Sequence, residues 1–249
     1  MLTISNMWCI LATLLEHCAI VRWIRRVKYK LILWDFDGTL ADTLHAALDI
    51  YNQLAMERGY RTIENPHVVR DMGMRKFLTT HGVPIYRVPT LFATFLRELR
   101  KQAASINLND GIANVVGSLA DAGVAQCVVS SNDTETIREC LAKHGINDRF
   151  HNICGTSRIF GKESGIRSAI ESACVRTVEA LYVGDEIRDI EAANAAGVDI
   201  ATVGWGLNSR RALLKHSPAH FVNEPTELLD LATRKPVAGQ AGVPKAPMP

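Results

Sequence analysis

The stretch LILWDFDGTLADT, residues 31–43, decides the fold. Leu31, Ile32, Leu33 and Trp34 form an unbroken apolar run, the pattern of a parallel strand covered on both faces, and it stops at Asp35. Asp35 and Asp37 stand two apart, so extended backbone turns both side chains to the same side. Gly38 follows, where the missing Cβ permits a tight turn. Two adjacent carboxylates repel one another unless a cation or a shared proton relieves them, which makes a divalent metal the economical reading. An isolated Asp-Gly-Thr would be turn chemistry alone, so the weight falls on what the rest of the chain brings to the same place.

From residue 111 onward short strands alternate with amphipathic helices: strands in VAQCVVS, around NICG, in EALYVG and in DIATVGW, each separated by a helical pattern. Such repetition predicts an α/β fold with a doubly wound parallel sheet. Residues 46–107 read as almost entirely helical, through HAALDIYNQLAMERG, VVRDMGMRKFLTTHG and VPTLFATFLRELRKQAASI. The expected organisation is therefore a core of residues 28–45 and 108–232 with a helical cap of residues 46–107 inserted after the first strand. Residues 1–27 form an extension, and the Pro-, Gly- and Ala-rich residues 233–249 a disordered tail.

Composition narrows the function classes. The chain has 249 residues, 47% of them hydrophobic, and a net charge of +2, with no basic footprint for nucleic acid. Its six cysteines show no C-x-x-C pair, which argues against a zinc site and for a reducing cytoplasm. The apolar stretch at residues 1–15 is too short to span a bilayer, and its basic residues follow it rather than precede it, the wrong order for an export signal. A loosely attached extension is the main expectation for residues 1–26; an amphipathic helix resting on a membrane is the lesser one. A third reading starts the protein at Val27, directly before the first strand. Oligomeric state is not legible.

Three further strand ends carry chemistry. VVSSNDTETI offers the hydroxyls of Ser130 and Ser131 before a helix, with Asn132 and Glu135 spaced as a capping-box variant. Lys162, in FGKESGI, stands just before another helix. LYVGDEIRDI repeats the opening pattern, a strand ending at Gly184 and then Asp185, with Glu186 and Asp189 in the next turn. Each alone has a bland account as cap, surface lysine or dipole partner. One parallel sheet would bring all four to the same edge.

With DFDGTLADT and VGDEIRDIEAANAAG in hand, residues 28–232 resemble the haloacid dehalogenase superfamily, and the small helical cap resembles that of its phosphoglycolate phosphatase-like members. The resemblance implies a Mg²⁺-dependent phosphatase acting on a small phosphorylated metabolite. Asp35 would be the nucleophile and Asp37 the general acid and base. Asp35, the Asp37 main-chain carbonyl and Asp185 would hold Mg²⁺, with Gly38, Thr39, Glu186 and Asp189 in support. Ser130, with Ser131 the alternative register, would bind the phosphoryl oxygens together with Lys162. Glu163 departs from the proline many relatives carry after the lysine. The second acid, Asp37, favours phosphoryl chemistry over dehalogenation, and nothing marks the cap lysine Lys76 for phosphonate cleavage. A phosphomutase and a non-catalytic binding protein of the same fold are the competing functions. Arg70, Arg75, Lys76 and His81 are the polar cap candidates for substrate contact, and a solvated helix face accounts for them equally.

Overall fold

Strand β1 (Leu31–Trp34) is fully buried because its alternating side chains divide between two cores. Ile32 and Trp34 join the larger apolar cluster, and Leu31 and Leu33 join the other. This is the two-sided burial that the unbroken apolar run predicts. A computed structural model describes residues 27–102, 105–155 and 161–233, so the expectations for residues 1–26 and for most of the tail lie outside the described residues.

After β1 the chain forms the two-residue strand β2 (Ala41–Asp42) and then helices α1 (Leu44–Arg58), α2 (Pro66–Val69), α3 (Met74–His81) and α4 (Val88–Lys101). It returns through β3 (Asn107–Leu108), antiparallel to β2. This short ribbon joins the helical insert to the core, and two residues per strand are too few to show an alternation in sequence. The second expected helix is two. It breaks at Arg70–Gly73, whose polar groups turn to the core. Gly59 and Gly82, both left-handed, close α1 and α3.

The core continues with α5 (Ile112–Asp121), β4 (Ala125–Ser130), α6 (Thr134–Lys143), β5 (Asn152–Gly155), α7 (Lys162–Ser172), β6 (Ala180–Gly184), α8 (Ile187–Ala196) and β7 (Asp199–Val203). It ends with α9 (Arg210–Lys215), β8 (His220–Val222) and α10 (Glu227–Thr233). The six-stranded sheet has the order β5-β4-β1-β6-β7-β8, and every pairing is parallel. The chain fills one side of β1 and then crosses to the other, so the carboxyl ends of β4, β1 and β6 meet at the switch in winding direction.

At the opposite edge Lys30 and Arg176 both pair with Glu179, at 2.8 and 3.1 Å, tying the entry of β1 to the entry of β6. The Arg176 guanidinium, with Lys30 beside it, holds the Glu179 carboxyl at about 2. A depressed carboxyl contributes stability above its ordinary range and loses it as pH falls toward the folded value. Glu179→Gln is accordingly expected to melt below the parent at pH 7, with the gap closing between about pH 4.5 and 2 in a thermal-melt series.

Candidate active site

Asp35 is the first residue beyond β1. Its N–H donates to the Val183 carbonyl at 2.8 Å, which carries the sheet register one step past the strand and fixes the carboxylate at the edge. Gly38 follows at φ +74°, and a Cβ there would collide with the Asp185 carboxylate, so both turn geometry and close approach demand glycine. A Cβ on Gly206 would likewise collide with the Asp185 side chain.

Asp185 is held from two directions: the Thr39 hydroxyl donates to Oδ1 at 2.9 Å and the Leu207 N–H to Oδ2 at 2.6 Å. Asp189 Oδ2 accepts the N–H groups of Asp185 and Glu186, at 3.1 and 3.0 Å, capping α8. Its Oδ1 accepts Lys162 Nζ at 2.5 Å, and the same ammonium donates to Asp35 Oδ2 at 2.7 Å. Lys162 is buried and is the first residue of α7 rather than a residue before it. Glu186, the N-cap of α8, pairs with Arg188 at 2.8 Å.

Electrostatics follow from burial. The Asp35 carboxyl is pushed up to about 7, first by burial and then by Asp189 and Asp37, against the pull of Lys162. Burial raises Asp185 well above the usual carboxylate range, and Glu186 and Asp189 add to it. Burial also raises Asp37, opposed by hydrogen bonds from Thr43 and Asn132. For Lys162 burial works against the charge, but Asp189 and Asp35 outweigh it and hold the ammonium well above its usual value. Arg188 likewise overcomes burial at Glu186 and keeps that carboxyl low.

Carboxylate oxygens of Asp35, Asp185 and Asp189 lie within 4.8 Å of one another, all three buried. Asp35 Oδ1 is buried without a hydrogen-bond partner among the described residues. A crowded set of hard oxygen donors with one unsatisfied member fits a divalent cation such as Mg²⁺. Asp189, like Asp185 and unlike Asp35, has both oxygens occupied, here by Lys162 and two amides. The Asp37 carboxylate stands outside this cluster.

Asp37 instead accepts the Asn132 side-chain amide on both oxygens, at 3.2 and 3.0 Å. Asn132 is fully buried and is not the helix cap that its spacing to Glu135 suggests. Asp133 caps α6, accepting the N–H groups of Glu135 and Thr136 at 3.0 and 3.2 Å. The cap moves one residue along, which frees Asn132 to face β1. Ser130 Oγ accepts the Asn132 N–H at 3.2 Å, while Ser131 Oγ is buried without a partner among the described residues.

These groups form one end of a cavity of ≈ 340 Å³ that Asp35, Asp37, Ser130, Ser131, Lys162 and Asp185 line, with cap helices as its other wall. None of the four polar cap candidates lines it. Arg75 and Lys76 are exposed. His81 is buried, stacked on Phe77 at 4.5 Å with a ring nitrogen 2.9 Å from the Arg61 carbonyl. Arg70 reaches the core and donates to the carbonyls of Gly206 and Leu207, at 2.6 and 2.7 Å. Asp71 accepts the Ser209 N–H at 2.9 Å and hydroxyl at 2.7 Å, and Asn208 donates to the Arg70 carbonyl. The cap is thus fastened to the loop that carries the Asp185 contacts.

The family model for haloacid dehalogenase-like hydrolases matches residues 32–203, and the chain belongs to that family. It is 27% identical to the phosphoglycolate phosphatase of Synechococcus elongatus over 205 residues, covering 82% of this chain and 97% of that protein. It is also 27% identical to a 5'-nucleotidase of Pseudomonas aeruginosa over 206 residues, covering 78% of this chain and 91% of that protein. Among solved structures, a haloacid dehalogenase-like hydrolase from Streptococcus pneumoniae has the same fold, with a TM-score of 0.69 at 20% identity over 82% of this chain and 98% of that one. No helix among the described residues is long and apolar enough to cross a membrane.

Proposed function

We propose that this hydrolase is a Mg²⁺-dependent phosphatase that moves the phosphoryl group of a small phosphomonoester onto Asp35 and then onto water. The observation that carries the reading is the Asp35 carboxylate. One oxygen is buried and unpartnered, the other is held by Lys162, and both sit at the end of a cavity beside two serine hydroxyls.

In the first half-reaction the Asp35 carboxylate attacks phosphorus, the bond from phosphorus to the alcohol oxygen breaks, and Asp37 gives that oxygen its proton. In the second, Asp37 takes a proton from water as the water attacks phosphorus, and the bond to Asp35 breaks to restore the carboxylate. Asn132 supports this role by orienting the Asp37 carboxylate through both oxygens. Ser130 and Ser131 donate to phosphoryl oxygens, and Lys162 balances the negative charge of Asp35, Asp189 and the phosphoryl group. Asp35, the Asp37 carbonyl and Asp185 would hold Mg²⁺, with Glu186 and Asp189 fixing the surrounding loop. When bound, the cation supplies neutralisation of charge on the phosphoryl oxygens.

The test is release of inorganic phosphate from a panel of phosphomonoesters. Release is expected with Mg²⁺ and none with excess chelator. Isomer formation without release would move the assignment to a mutase, and no reaction on any ester would favour the non-catalytic reading.

The cap fastening yields a second expectation. Arg70 steadies the loop whose Leu207 N–H holds Asp185, so Arg70→Ala should raise the Mg²⁺ concentration for half-maximal activity by roughly tenfold, the usual size for loss of a group behind a metal ligand. A Mg²⁺ titration of activity in both proteins checks it.

A further inference from the structure

The cap wall of the cavity is apolar. Leu44 of α1, Phe77 of α3 and Leu91, Phe92 and Phe95 of α4 converge on the space opposite Asp35. Among the described residues no charged cap side chain lines it, and the hydroxyl of Tyr51, also in the wall, is spent on the Arg61 carbonyl at 3.0 Å. The lining cations, Lys162 and Arg188, both come from the core, and both are engaged with carboxylates. Exposed cap cations such as Arg75 and Lys76 point the charge to solvent instead.

A phosphoryl group seated beside Asp35, Ser131 and Lys162 would direct the alcohol half of the ester at this wall. A carboxylate or polyol placed there would give up hydration without a matching partner, whereas a hydrocarbon would bury apolar surface. We infer that the substrate is the phosphomonoester of an apolar alcohol, aliphatic or aromatic, and that α4 selects it through Leu91, Phe92 and Phe95. The inference rests on the phosphatase reading above. It departs from the anionic compound for which the Synechococcus relative is named.

Linear alkyl phosphates from ethyl to hexyl test it, because chain length changes apolar area while the acidity of the leaving alcohol stays nearly constant. With Mg²⁺, kcat/KM should rise about fourfold per added methylene until the cavity is filled, roughly 60-fold over three, and butyl phosphate should exceed phosphoglycolate. Phe92→Arg should flatten the series and raise phosphoglycolate relative to butyl phosphate. The parent series decides the matter by itself if that variant does not fold. A flat or falling series, or phosphoglycolate above butyl phosphate, overturns the inference and leaves the phosphatase standing. No release from any ester, phosphoglycolate included, removes the phosphatase reading and this inference with it.

Discussion

Asp35→Asn abolishes phosphate release, with kcat falling on the order of 10⁴-fold or more, while the protein stays folded. The amide keeps the shape of the carboxyl and leaves the main-chain bond to Val183 in place, but it has no anionic oxygen to attack phosphorus. Stability should change little. The parent carboxyl is already pushed up to about 7 by burial, so a neutral group there relieves crowding with Asp189 and Asp37 even as it weakens the Lys162 contact. Phosphate release and a thermal melt on the same preparation separate loss of chemistry from loss of fold. A variant retaining more than about 1% of parental kcat would show that Asp35 is not the nucleophile.

Lys162→Met should fail in both measurements. Its ammonium is the shared partner of Asp35 and Asp189, at 2.7 and 2.5 Å, and all three groups are buried. Removing the one cation of such a set leaves buried carboxylates without their counter-charge, a loss of about 3–5 kcal/mol, or roughly 10 °C in melting temperature for a chain this size. Activity should fall by about 10³-fold, since the phosphoryl group loses its cationic partner as well. Differential scanning calorimetry and initial rates read the two effects. A Met variant as stable as its parent would contradict the account of Lys162 as the hub of the acid cluster.

The sequence displayed the site through its strand ends. Apolar runs halting at Asp35, Ser130 and Asp185 are visible because a two-sided parallel strand must be apolar throughout and its ligand edge need not be. Lys162 was harder to weigh: a lysine before a helix is normally at the surface, and only the charge of Asp35 and Asp189 makes its burial reasonable. The spacing of Asn132 suggests a cap that Asp133 takes, because Asn and Asp are near-equal caps and adjacent residues compete for the position. The bond from Asn132 to Asp37 spans 95 residues and leaves no periodic trace.

The cap was the least legible part. Helical spacing in VPTLFATFLRELRK predicts an apolar face without saying whether that face meets a core or an open cavity, and in α4 it does both. Arg70 reads equally as a substrate contact or a solvated helix residue, yet its partners are main-chain carbonyls more than 130 residues away, groups every residue carries. The ribbon β2–β3 and the three-residue β8 are too short to announce themselves.

The central claim, that Asp35 carries the phosphoryl group, is tested most directly by trapping it. Asp37→Asn, supplied with 4-nitrophenyl phosphate and Mg²⁺ and quenched in acid within the first turnovers, should hold a phosphoryl group on the peptide that contains Asp35. That leaving group needs no proton, whereas hydrolysis of the intermediate still needs the missing base. Peptide mass spectrometry showing the adduct on Asp35 is the predicted result. Release of 4-nitrophenolate with no adduct, or with an adduct on any other residue, would contradict it.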